Sequence, residues 1–256
     1  FRRSRGLGDV YKRQPLLHLA KYNNKFSIKI FLCFYLTFLI WNIIATSWLY
    51  YASLGGVLFA VLVNSLLMTI VFSLFFIVSK KINSKLSLIF LVSFWLCFEK
   101  FHLMWDFSWP WLNIGNVFSE KTEWIQWYEY TGSFGGTLWV LLTNILIYKV
   151  FLSTIYNEKP RLLIVSVILV IIVPITISKI ILYNLDLEEE PIDVFIIQPN
   201  IDPYSEKYTR TDKDNYHYVH DLLEENSIKN STIILPETFF SDGTQINGYS
   251  GNEFIK

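Results

Sequence analysis

The chain has 256 residues, of which 52% are hydrophobic and 18% aromatic, while only 17% are charged. Soluble domains carry about 25% charge, so this composition, with mean hydropathy +0.35, places most of the chain in lipid. Lysine plus arginine (22) balances aspartate plus glutamate (22) with no basic block to attract nucleic acid, and the two cysteines, Cys33 and Cys97, lie in apolar segments, which leaves no readable disulfide framework or cysteine metal site.

Residues 1–14, FRRSRGLGDVYKRQ, are basic and do not lead into the apolar core of a signal peptide. They read as a non-native remnant or a disordered leader, and no function is assigned to them. Apolar runs of about 20 residues are long enough to cross a bilayer core of about 30 Å. Such runs occupy residues 28–48, 55–78, 128–152 and 162–183, and a shorter one occupies 86–98. The expectation is therefore a membrane bundle of about five helices over residues 28–183. Pro174 is a tolerated kink in the last of them.

Loop charges orient the bundle. Lys21, Lys25 and Lys29 lie before or at the start of run 28–48, Lys80, Lys81 and Lys85 between runs 55–78 and 86–98, and Lys149, Lys159 and Arg161 at the end of run 128–152 or just after it. The intervening loops hold only Lys100 and Lys121. By the positive-inside rule the lysine-rich side is cytoplasmic. Residues after about 184 then face the periplasm or cell exterior.

Composition changes at Asn184. Residues 184–191 form an acidic linker. Residues 193–198 (DVFIIQ) read as a buried strand, residues 205–225 as a helix with Tyr216, Val219 and Leu223 on its inner face, and residues 232–235 as a second buried strand. Strand–helix–strand is a βαβ unit with a parallel sheet. Two strands and one helix bury too little to stand alone, so the domain beginning at 192–256 is expected to continue past Lys256.

Three places carry candidate chemistry. Glu237 follows Pro236 at the end of the second strand, where open α/β sheets put their ligand crevices. A buried carboxylate there serves as a general base; a solvated strand-end glutamate is the plainer alternative. Trp105, Trp109 and Trp111 surround Pro110 in MWDFSWPWLNIG. They make either an interfacial aromatic belt or a lipid-facing rim that admits an acyl chain. Glu99, His102 and Asp106 lie nearby and read as interfacial polar residues, not a metal site. The glycines of TGSFGGTLW (Gly132, Gly135, Gly136) follow no strand and read as small residues for close packing. Asn64 and Asn144 lie inside apolar runs, where buried amides usually bond across helices.

Taken together, residues 28–256 resemble the apolipoprotein N-acyltransferase family. Trp109-Pro-Trp-Leu-Asn-Ile-Gly115 is similar to its aromatic-Pro-Trp-Leu-x-x-Gly loop, and Gln126, Gly132 and Asn144 continue the pattern. VFIIQPNIDPYSEK (194–207) resembles the opening strand of its outer domain, and the strand ending at Pro236-Glu237 resembles its Pro-Glu strand. The resemblance implies a multi-span α-helical membrane bundle followed by a nitrilase-like α/β domain, an αββα sandwich. It implies transfer of an acyl chain from a phospholipid to the α-amine of a diacylglyceryl-cysteine apolipoprotein, through a cysteine thioester, without a cofactor. Glu237 takes the role of general base. Trp109, Trp111 and Tyr208 take lipid contacts, Tyr208 standing where many members have Trp. The lysine and cysteine partners are expected beyond residue 256, so the chain as it stands is expected to be inactive, and the family's two earlier spans are expected upstream. A membrane-anchored nitrilase-like amide hydrolase and a non-enzymatic membrane protein with a small outer domain remain as other readings.

Overall fold

The computed structural model describes residues 14–51, 53–185, 192–202, 206, 209–226, 231–236 and 239–240. The chain divides at Leu185 into two compact units, Phe1–Leu185 and Asp186–Lys256.

The first unit is helical. It runs α1 (Gln14–Tyr22), α2 (Ile28–Thr46), α3 (Leu54–Ser79), α4 (Ser84–His102), α5 (Tyr128–Ile155) and α6 (Arg161–Tyr183). Side chains set several of the boundaries. Ser53 accepts from the Gly56 amide at 3.2 Å and starts α3; Asn83 accepts from the Leu86 amide at 2.9 Å and starts α4. Gly132 breaks the first turns of α5 with φ +62° and ψ −170°, a conformation that only glycine adopts without strain. The core joins α2, α3 and α4 through aromatic rings. Phe72 lies 5.8 Å from Phe34, 5.4 Å from Phe38 and 5.9 Å from Trp95. Such pairs contribute roughly 0.5–1.5 kcal/mol each beyond their buried area.

Among the described residues four helical segments are long and apolar enough to cross a membrane: Ile28–Tyr51, Leu54–Ser79, Tyr128–Ile155 and Arg161–Tyr183. The expected fifth, α4, is not among them. Its 19 residues include Lys85, Glu99 and Lys100, and it is the most charged of the long helices. It packs against α3 and α5 and carries the chain from the Lys80 end of the bundle to the 103–127 loop. Helix α1 was not anticipated from the sequence. It buries Leu16, Leu17 and Ala20 on one face, and the Lys80 ammonium donates to its last carbonyls, Ala20 at 2.8 Å and Lys21 at 3.3 Å.

The second unit contains β1 (Val194–Ile196), α7 (Asp212–Glu225) and β2 (Thr232–Ile234). The strands pair in parallel, Val194 with Thr232 and Ile196 with Ile234. Helix α7 starts seven residues later than the sequence suggests. Thr211 and Asp214 form a reciprocal capping box that fixes its first turn. The inner face also differs. Val219 is buried with Tyr218, Leu222 and Leu223 around it, against Ile197 and Phe239. Tyr216 instead lies beside the His217 and His220 rings. Both strands were expected to be buried, yet Ile196 and Ile234 are exposed. Among the described residues only one face of the sheet is covered.

Candidate functional site

Chemistry-bearing residues converge at the end of the bundle where α2 meets α3, α4 meets the 103–127 loop and α5 begins. The loop is built of three short 3-10 turns, Pro110–Leu112, Ile114–Phe118 and Thr122–Trp124. Glu99 holds it from below. This carboxylate is fully buried. One oxygen accepts from the Trp95 indole at 3.0 Å and from the Ile114 amide at 2.8 Å; the other accepts from the Thr137 hydroxyl at 2.5 Å. The same hydroxyl oxygen accepts from the Gly115 amide at 3.0 Å, and the Tyr128 hydroxyl donates to the Gly115 carbonyl at 2.8 Å. Both backbone groups of Gly115 are therefore matched, as buried backbone requires. Its Cα lies so close to α5 that a methyl group there would collide with the Ser133 carbonyl. A methyl on Gly136 would meet the Tyr128 hydroxyl and the Gly115 Cα. Of the α5 glycines only Gly136 packs against the loop backbone; Gly135 faces the Thr131 and Trp127 side chains, and a methyl on Gly132 would meet nothing within 4 Å.

A second polar chain lies beside the first. The Trp105 indole donates to His102 Nδ1 at 2.8 Å. An indole can only donate, so Nε2 carries the proton that faces Asn64 Oδ1 at 2.9 Å. Asn64 donates to Asn42 Oδ1 at 2.7 Å, and Asn42 donates to the Phe38 carbonyl at 2.8 Å. The chain ties α4, α3 and α2 together. Asn64 thus bonds across helices as expected. Asn144 does not: its amide donates to the Val140 carbonyl of its own helix at 2.8 Å, and among the described residues its Oδ1 is buried without a partner. Glu99 and His102 belong to separate networks. Among the described residues no group of three His, Cys, Asp or Glu side chains is arranged to hold a metal.

Above His102 and Asn64 opens a crevice of about 230 Å³. It is walled by Phe59, Ala60 and Val63 of α3 and by Trp105, Phe107 and Trp109 of the loop. The Trp109 indole nitrogen is buried and has no hydrogen-bond partner. Trp109 lies 5.1 Å from Trp111, which stacks at 5.1 Å on Trp48. Trp111 faces outward, with 54% of its surface exposed. Of the residues marked in the sequence, Trp109 therefore lines a cavity and Trp111 does not. Glu237 and Tyr208 lie outside the described residues. Sequence reasoning missed the roles of Glu99, Thr137 and Asn42. Each is a polar side chain inside a helix that is otherwise largely apolar, and such groups are held by partners.

The fold and site define a polytopic membrane bundle whose aromatic crevice opens over the His102–Asn64 pair. Residues 14–146 match the family model described as the apolipoprotein N-acyltransferase N-terminal domain, and the chain belongs to that family. It is 28% identical over 193 residues to an apolipoprotein N-acyltransferase of Chlorobaculum tepidum, an alignment covering 74% of this chain and 36% of the relative. The chain thus spans about a third of that relative's length. No solved structure matches it.

Proposed function

We propose that this chain is part of an enzyme that N-acylates lipoproteins in the bacterial inner membrane. The donor is a phospholipid and the acceptor is the α-amine of a diacylglyceryl-cysteine. The observation that carries the proposal is the aromatic crevice at the Trp109 loop in a chain of this family. Its apolar walls and single unpartnered indole donor suit an acyl chain with a polar ester end. Trp109 and Trp111 then contact lipid, as does Tyr208.

In this reading the bundle (residues 28–183) leads through the linker 184–191 into a nitrilase-like domain starting at 192, on the periplasmic side. The lysine asymmetry supports that orientation. Glu237 takes the proton of a cysteine thiol. The thiolate attacks the ester carbonyl, the ester bond breaks, and the lysophospholipid alkoxide leaves with that proton. The acceptor amine then attacks the thioester, an amide forms and the thiol is regenerated. Cys33 and Cys97 lie on α2 and α4 and do not line the crevice.

The test uses the full-length enzyme with labelled phospholipid, followed by a diacylglyceryl lipopeptide. The expected products are an acyl-enzyme and then an N-acylated peptide. Glu237→Gln should lower acyl-enzyme formation by about 10²–10⁴-fold, the usual contribution of a positioned base, with an unchanged thermal melt. Release of free fatty acid regardless of acceptor would favour the membrane-anchored hydrolase instead.

A further inference from the structure

The opposite, lysine-bearing end of the bundle holds a second cavity, unrelated to the aromatic crevice. It measures about 390 Å³ and is lined by Lys21, Lys149, Leu152, Ser153, Tyr156, Glu158 and Leu163. That volume lies within the range of about 300–1,000 Å³ typical of small-ligand sites. Lys149, Leu152, Ser153 and Tyr156 recur at helical spacing, so α5 and its C-cap residue Tyr156 present them on one face. Lys21 is brought in from α1. Its ammonium sits 5.2 Å from the centroid of the Tyr156 ring, and the neighbouring Tyr22 hydroxyl meets that of Tyr156 at 2.6 Å. Lys80 fixes α1 in place through the Ala20 carbonyl. Ion pairs occur elsewhere among the described residues, but none involves Lys21 or Lys149, although Glu158 lines the same cavity.

We propose that this cavity binds the phosphodiester of an anionic glycerophospholipid. Two ammonium groups and one carboxylate leave a single positive charge, which matches a phosphodiester and not a dianionic free phosphate. The Tyr156 and Ser153 hydroxyls supply neutral donors. Leu152 and Leu163 give the glycerol end an apolar wall continuous with the bilayer-facing helices. Basic pockets between membrane helices take lipid headgroups in this way. The inference requires only that the bundle lies in a bilayer and does not depend on the acyl-transfer reading.

Native mass spectrometry of the delipidated protein, titrated with phosphatidylglycerol, tests it. The wild type should retain the lipid, and diacylglycerol with the same chains should not bind. Lys21→Gln with Lys149→Gln should weaken retention about 30-fold, at roughly 1 kcal/mol per lysine. Lys81→Gln with Lys85→Gln, on the same end but outside the cavity, should leave it unchanged. Lys21→Gln alone, on an exposed side chain, carries the same test at about fivefold if the double variant melts early. Unchanged retention in the Lys21 variants, equal loss in the Lys81/Lys85 control, equal binding of diacylglycerol, or displacement by millimolar inorganic phosphate would each overturn the proposal.

Discussion

The Trp139 indole N–H donates to the Val170 carbonyl at 2.6 Å. Val170 is four residues before Pro174, which has no N–H to complete the α6 ladder. The tryptophan supplies the bond that the proline leaves unmade, and it does so from a different helix. A second bond, from the Gln126 amide to the Ser178 hydroxyl at 2.6 Å, joins α6 to the loop one turn further on. These bonds matter because α6 buries only Ser178 among its residues.

Trp139→Phe should therefore destabilise the bundle by roughly 1–2 kcal/mol, the upper range for a hydrogen bond between membrane helices. Pro174→Ala returns an N–H to Val170 and should make the same Trp139→Phe change cheaper. A double-mutant cycle of unfolding in mixed micelles measures this. Strict additivity would show that the indole contributes only its packing.

Glu99→Gln keeps the shape of the carboxylate but replaces one acceptor oxygen with a donor. That donor would face either the Thr137 hydroxyl or the Trp95 indole and Ile114 amide. The expected cost is about 1–3 kcal/mol, the price of an unsatisfied buried group. Faster amide exchange at Ile114 and Gly115 should accompany it, because these amides depend on the Glu99–Thr137 pair. Thr137→Val should mimic the exchange effect, and Thr137→Ser should not.

Gly115→Ala places a methyl against the Ser133 backbone, which cannot step aside, so roughly 1–3 kcal/mol of overpacking is expected. Gly135→Ala meets mainly the Thr131 side chain and the Trp127 ring, which can rotate, and should cost less. Gly55→Ala meets nothing within 4 Å and should be neutral or slightly stabilising. Melting temperatures followed by tryptophan fluorescence rank the three. Equal losses at Gly115 and Gly55 would mean that the loop does not rest on α5.

These contacts separate what the sequence discloses from what it hides. Long apolar runs are self-evident, since each helix in lipid must satisfy its own backbone, and four of the five expected segments are long and apolar enough to span. The status of α4 was obscured because Glu99 and Lys100 sit at its end, and only tertiary structure reveals that Glu99 is matched by Trp95, Ile114 and Thr137. The Trp109-Pro-Trp111 loop was legible as a motif. Its two tryptophans were not distinguishable by spacing: one lines the crevice and the other stacks on Trp48, a residue more than sixty positions away. On α7, the helical repeat put Tyr216 on the inner face, where the structure has Tyr218. The Phe239 and Ile197 side chains decided for Tyr218, and no local pattern carries that information.

The start of α7 should respond to acid in one direction. The Thr211 hydroxyl donates to Asp214 at 2.7 Å and the Thr211 amide at 2.9 Å. These bonds, the hydroxyl first, hold the Asp214 carboxyl below its ordinary value, with smaller help from Arg210 and His217. A group whose folded pKa is depressed binds fewer protons folded than unfolded. Its contribution is therefore complete above the ordinary carboxylate range of about 4 and is lost as pH falls through the depressed value. Below about pH 4 the capping box should open, and protection of the Thr211 amide, corrected for intrinsic exchange, should fall. Asp214→Asn cannot titrate and should remove that acid dependence while leaving in place the bond from the Asn215 side-chain amide to the Phe239 carbonyl at 2.8 Å. Because Asp214 is fully exposed, the effect should stay local to the first turn. Protection at Thr211 that rises in acid, or falls equally in Asp214→Asn, would place the control of this helix start in another group.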